Sequence, residues 1–491
     1  MRYTHQPQLL PQEFERMFKS KKAGNSNGGC LSTCLTRLML LASVLGIIGV
    51  IALIAKLADD DRINIDLTPQ RSAYGAVIVL PPQEDQPSDL LLMTTKSGSP
   101  GYVLTYLDRA DLDIRWDRPL DDDNPAHMTL STDSIYLVDE QNHLIALTLE
   151  NGDQRWETDL LAGIAPGCEE CVRALGEVVV VLTLDGMLQG FRAENGEMIW
   201  QVALNSVPLK LSVVNQRPAV VDNVPDATGQ ALILFDPLTG DIVQQIEPRC
   251  STDEGDETLG SNSPILYDPL EQAVYFLFGS TRRGCAQRWN AITGKQVWQS
   301  SVDLDAVNWP RGRFDSAPLL ENGVIYAAGN DTIFTINTKT GDIHLTAYHQ
   351  DYIFKPLAAD DDILVSHAVR TPVSARDELW GLDAIRGERL WRYEIEAESD
   401  GWTAQIVPAG LMVIQVLSGP DRIKVNILDF NTGETIIETT AEVDWAYWSG
   451  ITWGPDLAWL TLQNLYTVDL STGAISQFWP VPEEDVQQGS N

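Results

Sequence analysis

The chain is short of positive charge. Of its 491 residues, 34 are Lys or Arg against 69 Asp or Glu, a formal net charge of −35. A surface of that sign repels nucleic acid and anionic lipid headgroups, so neither is expected as a partner. Histidine is scarce as well, with 6 in all. His127, His143, His344, His349 and His367 are scattered without the spacing of a metal site. No Gly-x-Ser-x-Gly occurs. Gly294-Lys295 is no phosphate loop, because Trp289 stands where its first glycine belongs and Gln296 where Ser or Thr belongs. The aspartate runs 121–123 and 360–362 lack the alternating ligands and glycine of a calcium loop and read as solvated turns. Cys168 and Cys171 make a Cys-x-x-Cys away from any βαβ pattern, followed by Val172 rather than a haem-type histidine. Two thiolates are only half a zinc site. No catalytic residue, cofactor or metal ligand is therefore assigned.

Long apolar runs are missing too, with one exception. Residues 38–55 read LMLLASVLGIIGVIALIA without a charge. At the helical rise they reach roughly 27 Å, and Leu57 and Ala58 extend them toward a full membrane span. No A-x-A-like cleavage site follows, so an uncleaved anchor over 38–58 is expected rather than a signal peptide. Lys19, Lys21, Lys22 and Arg37 lie before the run and Asp59, Asp60 and Asp61 after it. That asymmetry places a basic tail, 1–37, in the cytoplasm and everything from 59 onward outside. A linker at 59–72, a folded region at 73–480 and a disordered tail at 481–491 complete the division. Ala42 and Gly46 form one small-xxx-small pair, too little to imply a dimer, and a monomer is expected.

What the outer region has is a repeat. LIALTLENGDQRW (144–156), LQGFRAENGEMIW (188–200), RWNAITGKQVW (288–298) and LWGLDAIRGERLW (379–391) are clear copies. Each is a short strand, a turn ending in glycine, and a second strand. The turn glycines are Gly152, Gly196, Gly240, Gly294, Gly341, Gly387, Gly433 and Gly473. A degenerate ninth copy, YLDRADLDIRW, ends at Trp116 and lacks the glycine. Asp, Asn or Glu opens the turn, where a side-chain oxygen can accept from the next amides. The glycine supplies the left-handed position that closes a type I turn with a bulge. Two further strands precede each hairpin, such as EVVVVLT (177–183) before Asp185-Gly186. Four strands in about 45 residues make one propeller blade. Trp156, Trp200, Trp298 and Trp391, each four residues after the glycine, fit rings wedged between blades. The fold class is all-β, a single propeller of eight four-stranded blades after one transmembrane helix, with nine as the alternative if the copy at Trp116 forms a blade of its own. The strands near 76–80 or 90–95 are expected to complete a blade shared by both chain ends.

The pattern Asp/Asn-Ala-x-x-Gly-x-x-x-Trp, as in Asn290-Ala291-Ile292-Thr293-Gly294 through Trp298, resembles the repeat of PQQ-type propellers over 73–480. That family holds the eight-bladed quinoprotein dehydrogenases and cofactor-free relatives, including the lipoprotein scaffold of outer-membrane β-barrel assembly. The dehydrogenases use a disulfide between adjacent cysteines and a calcium beside the quinone. No adjacent Cys-Cys exists here. The resemblance therefore implies the cofactor-free branch, a membrane-anchored extracytoplasmic module that binds a protein or envelope partner without catalysis. A membrane-anchored quinoprotein oxidoreductase is the alternative, and a bound quinone's near-ultraviolet absorbance separates the two.

In an antiparallel blade the second-to-third turns and the blade-to-blade connections share one face. Long segments, 247–263, 303–315, 368–377 and 397–402, fall there, and variable loops on a rigid scaffold commonly carry binding sites. Trp309, Arg311, Arg313, Trp402 and Trp448 are the candidate partner-binding residues, being of the types that dominate interfaces. The competing reading tucks such aromatics under their own loops. The outer cysteines lie where disulfides persist. Cys250 and Cys285 both fall toward this face and are expected to pair, leaving Cys168 with Cys171; free buried thiols are the other reading. Cys30 and Cys34, on the cytoplasmic side, are expected to stay reduced.

Overall fold

The structure is a computed structural model. It describes residues 71–73, 78–79 and 89–479, apart from short breaks, of which 97–101, 109–112, 121–126, 225–228, 304–317, 371–376 and 444–449 exceed three residues. The basic tail and the apolar run 38–55 lie outside the described residues. Among the described residues no helix is long and apolar enough to cross a membrane, and every regular element is a strand.

The strands form nine blades. Blade 1 has an interrupted first strand, Arg71–Ala73 (β1) and Ile78–Val79 (β2), then Leu90–Lys96 (β3), Tyr102–Leu107 (β4) and Ile114–Leu120 (β5). Blades 2 to 5 hold four strands each within 127–159, 172–203, 212–246 and 265–303. Blades 6 to 9 do the same within 319–348, 352–394, 399–442 and 450–479. A separate hairpin, Arg249–Thr252 with Gly255–Thr258, stands between blades 4 and 5. Nine apolar clusters hold the ring, one at each seam. Because each sheet is covered on both faces, a strand such as Val178–Leu182 is buried along its whole length.

The count of eight is thus corrected to nine. The copy ending at Trp116 forms a full blade although its turn lacks the glycine. The Asp108 N–H donates to the Asp113 carbonyl at 2.9 Å, which closes the β4–β5 hairpin. Arg115 clamps that turn through the Asp108 carboxylate at 2.6 Å. The expectation of a shared blade is also corrected. β1 and β2 both pair with β3, at Ala73↔Thr94 and Ile78↔Leu91, so blade 1 draws all its strands from one stretch of chain. The ring closes by side-chain packing instead, with Leu90, Leu92 and Leu107 of blade 1 against Trp459 and Leu465 of blade 9.

The glycine turns follow the expected chemistry. In blade 4, Asp236 Oδ1 accepts from the Leu238 and Thr239 N–H groups, and Gly240 donates to the Asp236 carbonyl at 2.9 Å. Asn290, Asn337, Asp383, Asp429 and Asp469 repeat the arrangement. At Asp469 the Ser471 hydroxyl, with the Thr472 and Ser471 amides, holds the carboxyl down at about 2.

Each repeat tryptophan then docks on the next blade's turn. Trp200 Nε1 donates to the Pro237 carbonyl at 2.8 Å, and its ring lies so close to Gly240 that a Cβ there would sit 2.7 Å away. Gly240 also has φ of 75°, so it is required twice over. Trp116, Trp156, Trp298 and Trp391 make the same bond to Leu149, Ala193, Thr338 and Phe430. Blade 4 has glutamine at this position. With its amide nitrogen toward Ala291, Gln244 donates to that carbonyl at 3.0 Å and accepts from the Gly294 N–H at 3.2 Å. It supplies the tryptophan's hydrogen bond without its ring.

Candidate partner-binding face

The two faces of the ring differ in their connections. First-to-second turns are two residues long in several blades, as at Gly176-Glu177, Asn215-Gln216 and Asn322-Gly323. Asn215, Gln216, Asn322 and Gly323 all have positive φ, the signature of tight primed hairpin turns. With the uniform glycine turns they make one regular face. The opposite face carries the blade-to-blade segments, including 160–171, 204–211 and 247–264.

Buried anchors fix this loop-rich face. Cys168 is bonded to Cys171, with Cα atoms 5.6 Å apart, and both are buried at the seam of blades 3 and 4. Cys250 is bonded to Cys285, 6.4 Å between Cα atoms, which ties the extra hairpin to blade 5. Gln287 Nε2 adds a bond to the Arg249 carbonyl at 2.7 Å. Asp222, 1% exposed, accepts from Asn205 N–H (2.8 Å) and the Ser206 hydroxyl (2.7 Å), pinning the connection into blade 4.

Of the candidate residues, Trp402 is described and is half-buried at the start of blade 8. Its Nε1 donates to Asp377 Oδ2 at 2.9 Å, and its ring meets His367 edge-on at 4.6 Å between centroids. Trp309, Arg311, Arg313 and Trp448 lie outside the described residues. Beside Asp377, Glu378 is buried, accepting from Trp380 Nε1 (2.6 Å) and the Tyr352 hydroxyl (3.4 Å) and pairing with Arg392 Nε (2.9 Å).

His367 Nε2 sits 3.4 Å from Asp377 Oδ1 without a well-formed hydrogen bond. Burial pushes its pKa down, outweighing the upward pull of Asp377, and the Lys355 charge pushes the same way as burial. The unfolded chain then takes up a proton that the folded chain refuses. Stability is expected to fall as pH drops below about 6.5 and to keep falling toward the lowered folded value. The urea midpoint measured between pH 7.5 and 5.5 checks this: His367→Gln should flatten the dependence, and an equal slope in both proteins rules His367 out as its source.

One feature of this face was not legible from sequence. Leu161, Leu184 and Val207 are 80%, 51% and 47% exposed. They come from three separate connections that the backbone ties together. Leu184 N–H donates to Gly163 O at 2.7 Å, and Leu204 N–H to Gly186 O at 2.9 Å. Single aliphatic residues in separate loops show no periodicity, so no pattern announced them.

The quinone and calcium of PQQ-type dehydrogenases do not fit these residues. Both disulfides are buried in seams and neither joins adjacent cysteines. Among the described residues no three His, Cys, Asp or Glu side chains converge to hold a metal. No chemistry is derived through either group.

Among solved structures, BamB from Moraxella catarrhalis is 16% identical, covering 83% of this chain and 100% of that one at a TM-score of 0.40. Dihydro-heme d1 dehydrogenase NirN in complex with DHE is 11% identical, covering 72% of this chain and 73% of that one, TM-score 0.45. A europium-containing methanol dehydrogenase is 12% identical, covering 70% and 82%, TM-score 0.40. No curated protein sequence matches the chain. The family model for the outer membrane protein assembly factor BamB matches residues 91–270 and 282–443, well over half of the sequence. The chain, a nine-bladed propeller of PQQ-like repeats, belongs to that family.

Proposed function

We propose that this protein is a membrane-anchored, extracytoplasmic binding module that holds a protein partner on its loop-rich face and performs no catalysis. The observation that carries this reading is the asymmetry of the ring. One face is closed by short uniform turns, while the other gathers long connections fixed by two disulfides and Asp222. A rigid frame with varied loops on one side suits recognition. The family's namesake is an assembly factor, which favours a protein as the occupant. The apolar run 38–55, flanked by basic residues before and acidic residues after, supports the anchor and its orientation.

The exposed Leu161, Leu184 and Val207 are the contact expected to matter. Leu184→Asp with Val207→Asp should reduce partner recovery after crosslinking in native membranes by about tenfold. The melting temperature should move by less than about 2 °C, since both side chains are exposed. Unchanged recovery with an intact fold would place the partner elsewhere.

A further inference from the structure

A propeller leaves the outer edge of every blade open. Among the described residues no strand pairs with the outer side of a blade's last strand. Such edges carry a row of unpaired N–H and C=O groups, and proteins protect them with charge, proline or brevity. Blade 1 has Arg115, Asp117, Arg118 and Pro119 there, and blade 2 has Arg155, Glu157 and Asp159. Blade 7 has Arg389, Arg392 and Glu394, and blade 8 has Glu438 and Glu442. The outer strands of blades 4 and 9 are five residues long, and those of blades 5 and 6 hold Asp303 and His344. Blade 3 is the exception. Its outer strand, Met198–Ala203, reads MIWQVA, with no charge, proline or glycine.

This edge is shaped for another strand. On its inner side Trp200–Ala203 pair in unbroken register with residues 187–190. The Leu204 N–H points inward, donating to Gly186 O at 2.9 Å. Backbone groups alternate sides along a strand, so the N–H groups of Ala203 and Gln201 point outward. Gln201 and Ala203 are exposed, Met198 is 47% exposed, and Ile199 and Val202 are half-buried. At the strand's entry Glu197 is paired with Arg192 at 3.4 Å. At its far end the chain runs through Leu204 to the exposed Val207, and the exposed Leu184 lies in the same turn as Gly186.

We infer that the outer edge of blade 3 is a strand-addition site, where an extended segment of the partner pairs with Met198–Ala203 as a fifth strand. The inference rests on the protein partner proposed above and gives it a conformation. Donors and acceptors spaced along an extended backbone are matched by a second extended backbone. The uncharged, partly apolar flanks select a segment with aliphatic residues at alternate positions. Such a segment leads onto the turn of Leu184 and the connection of Val207, so one partner engages both. A second copy of this chain is disfavoured, because each carries a net charge of −35.

The test uses the full chain in detergent and a net-neutral octapeptide, alternating valine and threonine between a lysine and a glutamate. Peptide binding is expected to slow hydrogen exchange in segment 198–204 and to leave segment 435–442 of blade 8 unchanged. Gln201→Pro removes an outward donor while sparing the inner ladder, and should weaken binding by about tenfold. Thr440→Pro is the matched change in blade 8, where the Val443 N–H points inward to Asp421 O at 2.9 Å. It should leave binding within about twofold. No binding, no added protection at 198–204, or equal effects of the two prolines overturns the site. The exchange measurement on the unaltered chain decides even where a proline variant does not fold. In native membranes Gln201→Pro should also lower crosslinked partner recovery by about tenfold. Unchanged recovery, with the peptide still bound by the unaltered chain, overturns the strand as the partner's and leaves the reading above intact. If Leu184→Asp with Val207→Asp leaves recovery unchanged while Gln201→Pro lowers it, the loop contact fails and the edge stands. A dimer of the unaltered chain with 198–204 already protected gives the edge to a second copy and overturns the partner.

Discussion

Trp200→Ala is expected to lower stability by about 3–5 kcal/mol, with the loss centred on the seam between blades 3 and 4. The ring is 8% exposed and packs among Val180, Ile233 and Phe235. It also fills the space over two glycines. A Cβ would sit 2.2 Å from it at Gly190 in its own blade and 2.7 Å from it at Gly240 in the next. Neither glycine can collapse into the hole, so the cavity stays open. The Pro237 carbonyl loses its donor at the same time. Gln244→Ala provides the internal scale. It removes the equivalent hydrogen bond without a ring and should cost only about 1 kcal/mol. A protein this long need not unfold in one step, so the reading is native-state hydrogen exchange of strands on both sides of the seam. Comparable losses for the two variants would show that the ring adds nothing to the lock.

Glu378→Ala is expected to cost about 3 kcal/mol, through the loss of a buried acceptor shared by two donors rather than through one ion pair. Arg392 is 41% exposed on its side chain, so water compensates it when the carboxylate goes. Trp380 Nε1 and the Tyr352 hydroxyl each lose a buried acceptor. Glu378→Gln keeps an oxygen in place and should recover more than half of the loss. The comparison is made by urea unfolding at neutral pH. A glutamine variant as unstable as the alanine one would mean that the charge, and with it Arg392, carries the effect.

The fold was largely legible because the repeat spells out its own packing. Aspartate or asparagine at the turn, the left-handed glycine and the tryptophan four residues on each have one physical job. The structure gives them those jobs at Asp236, Gly240 and Trp200. Blade 1 was left out of the count because its turn lacks the glycine, although the backbone bond from Asp108 N–H to the Asp113 carbonyl closes it as in the other blades. The disulfide partners could be read from topology, which fixes which end of a strand each cysteine occupies. The binding face was legible only as a face. Trp402 is spoken for by Asp377 and His367, and the exposed Leu161, Leu184 and Val207 sit on connections that only the folded backbone ties together. Sequence reports residue type at each position, whereas exposure depends on what the other loops cover.

Among the described residues no sheet in this ring borrows a strand from the far end of the chain, and closure rests on Leu90, Leu92 and Leu107 against Trp459 and Leu465. A whole repeat is therefore a unit that gene duplication can add, or deletion remove, without cutting a hydrogen-bonded ladder. Every remaining seam would keep its own partners and need only a small change of angle. A ring latched by an exchanged strand has no such freedom at its junction, because the first and last repeats are then one sheet. The number of blades in this lineage is accordingly free to drift by ones, and nine is a count that such drift can reach.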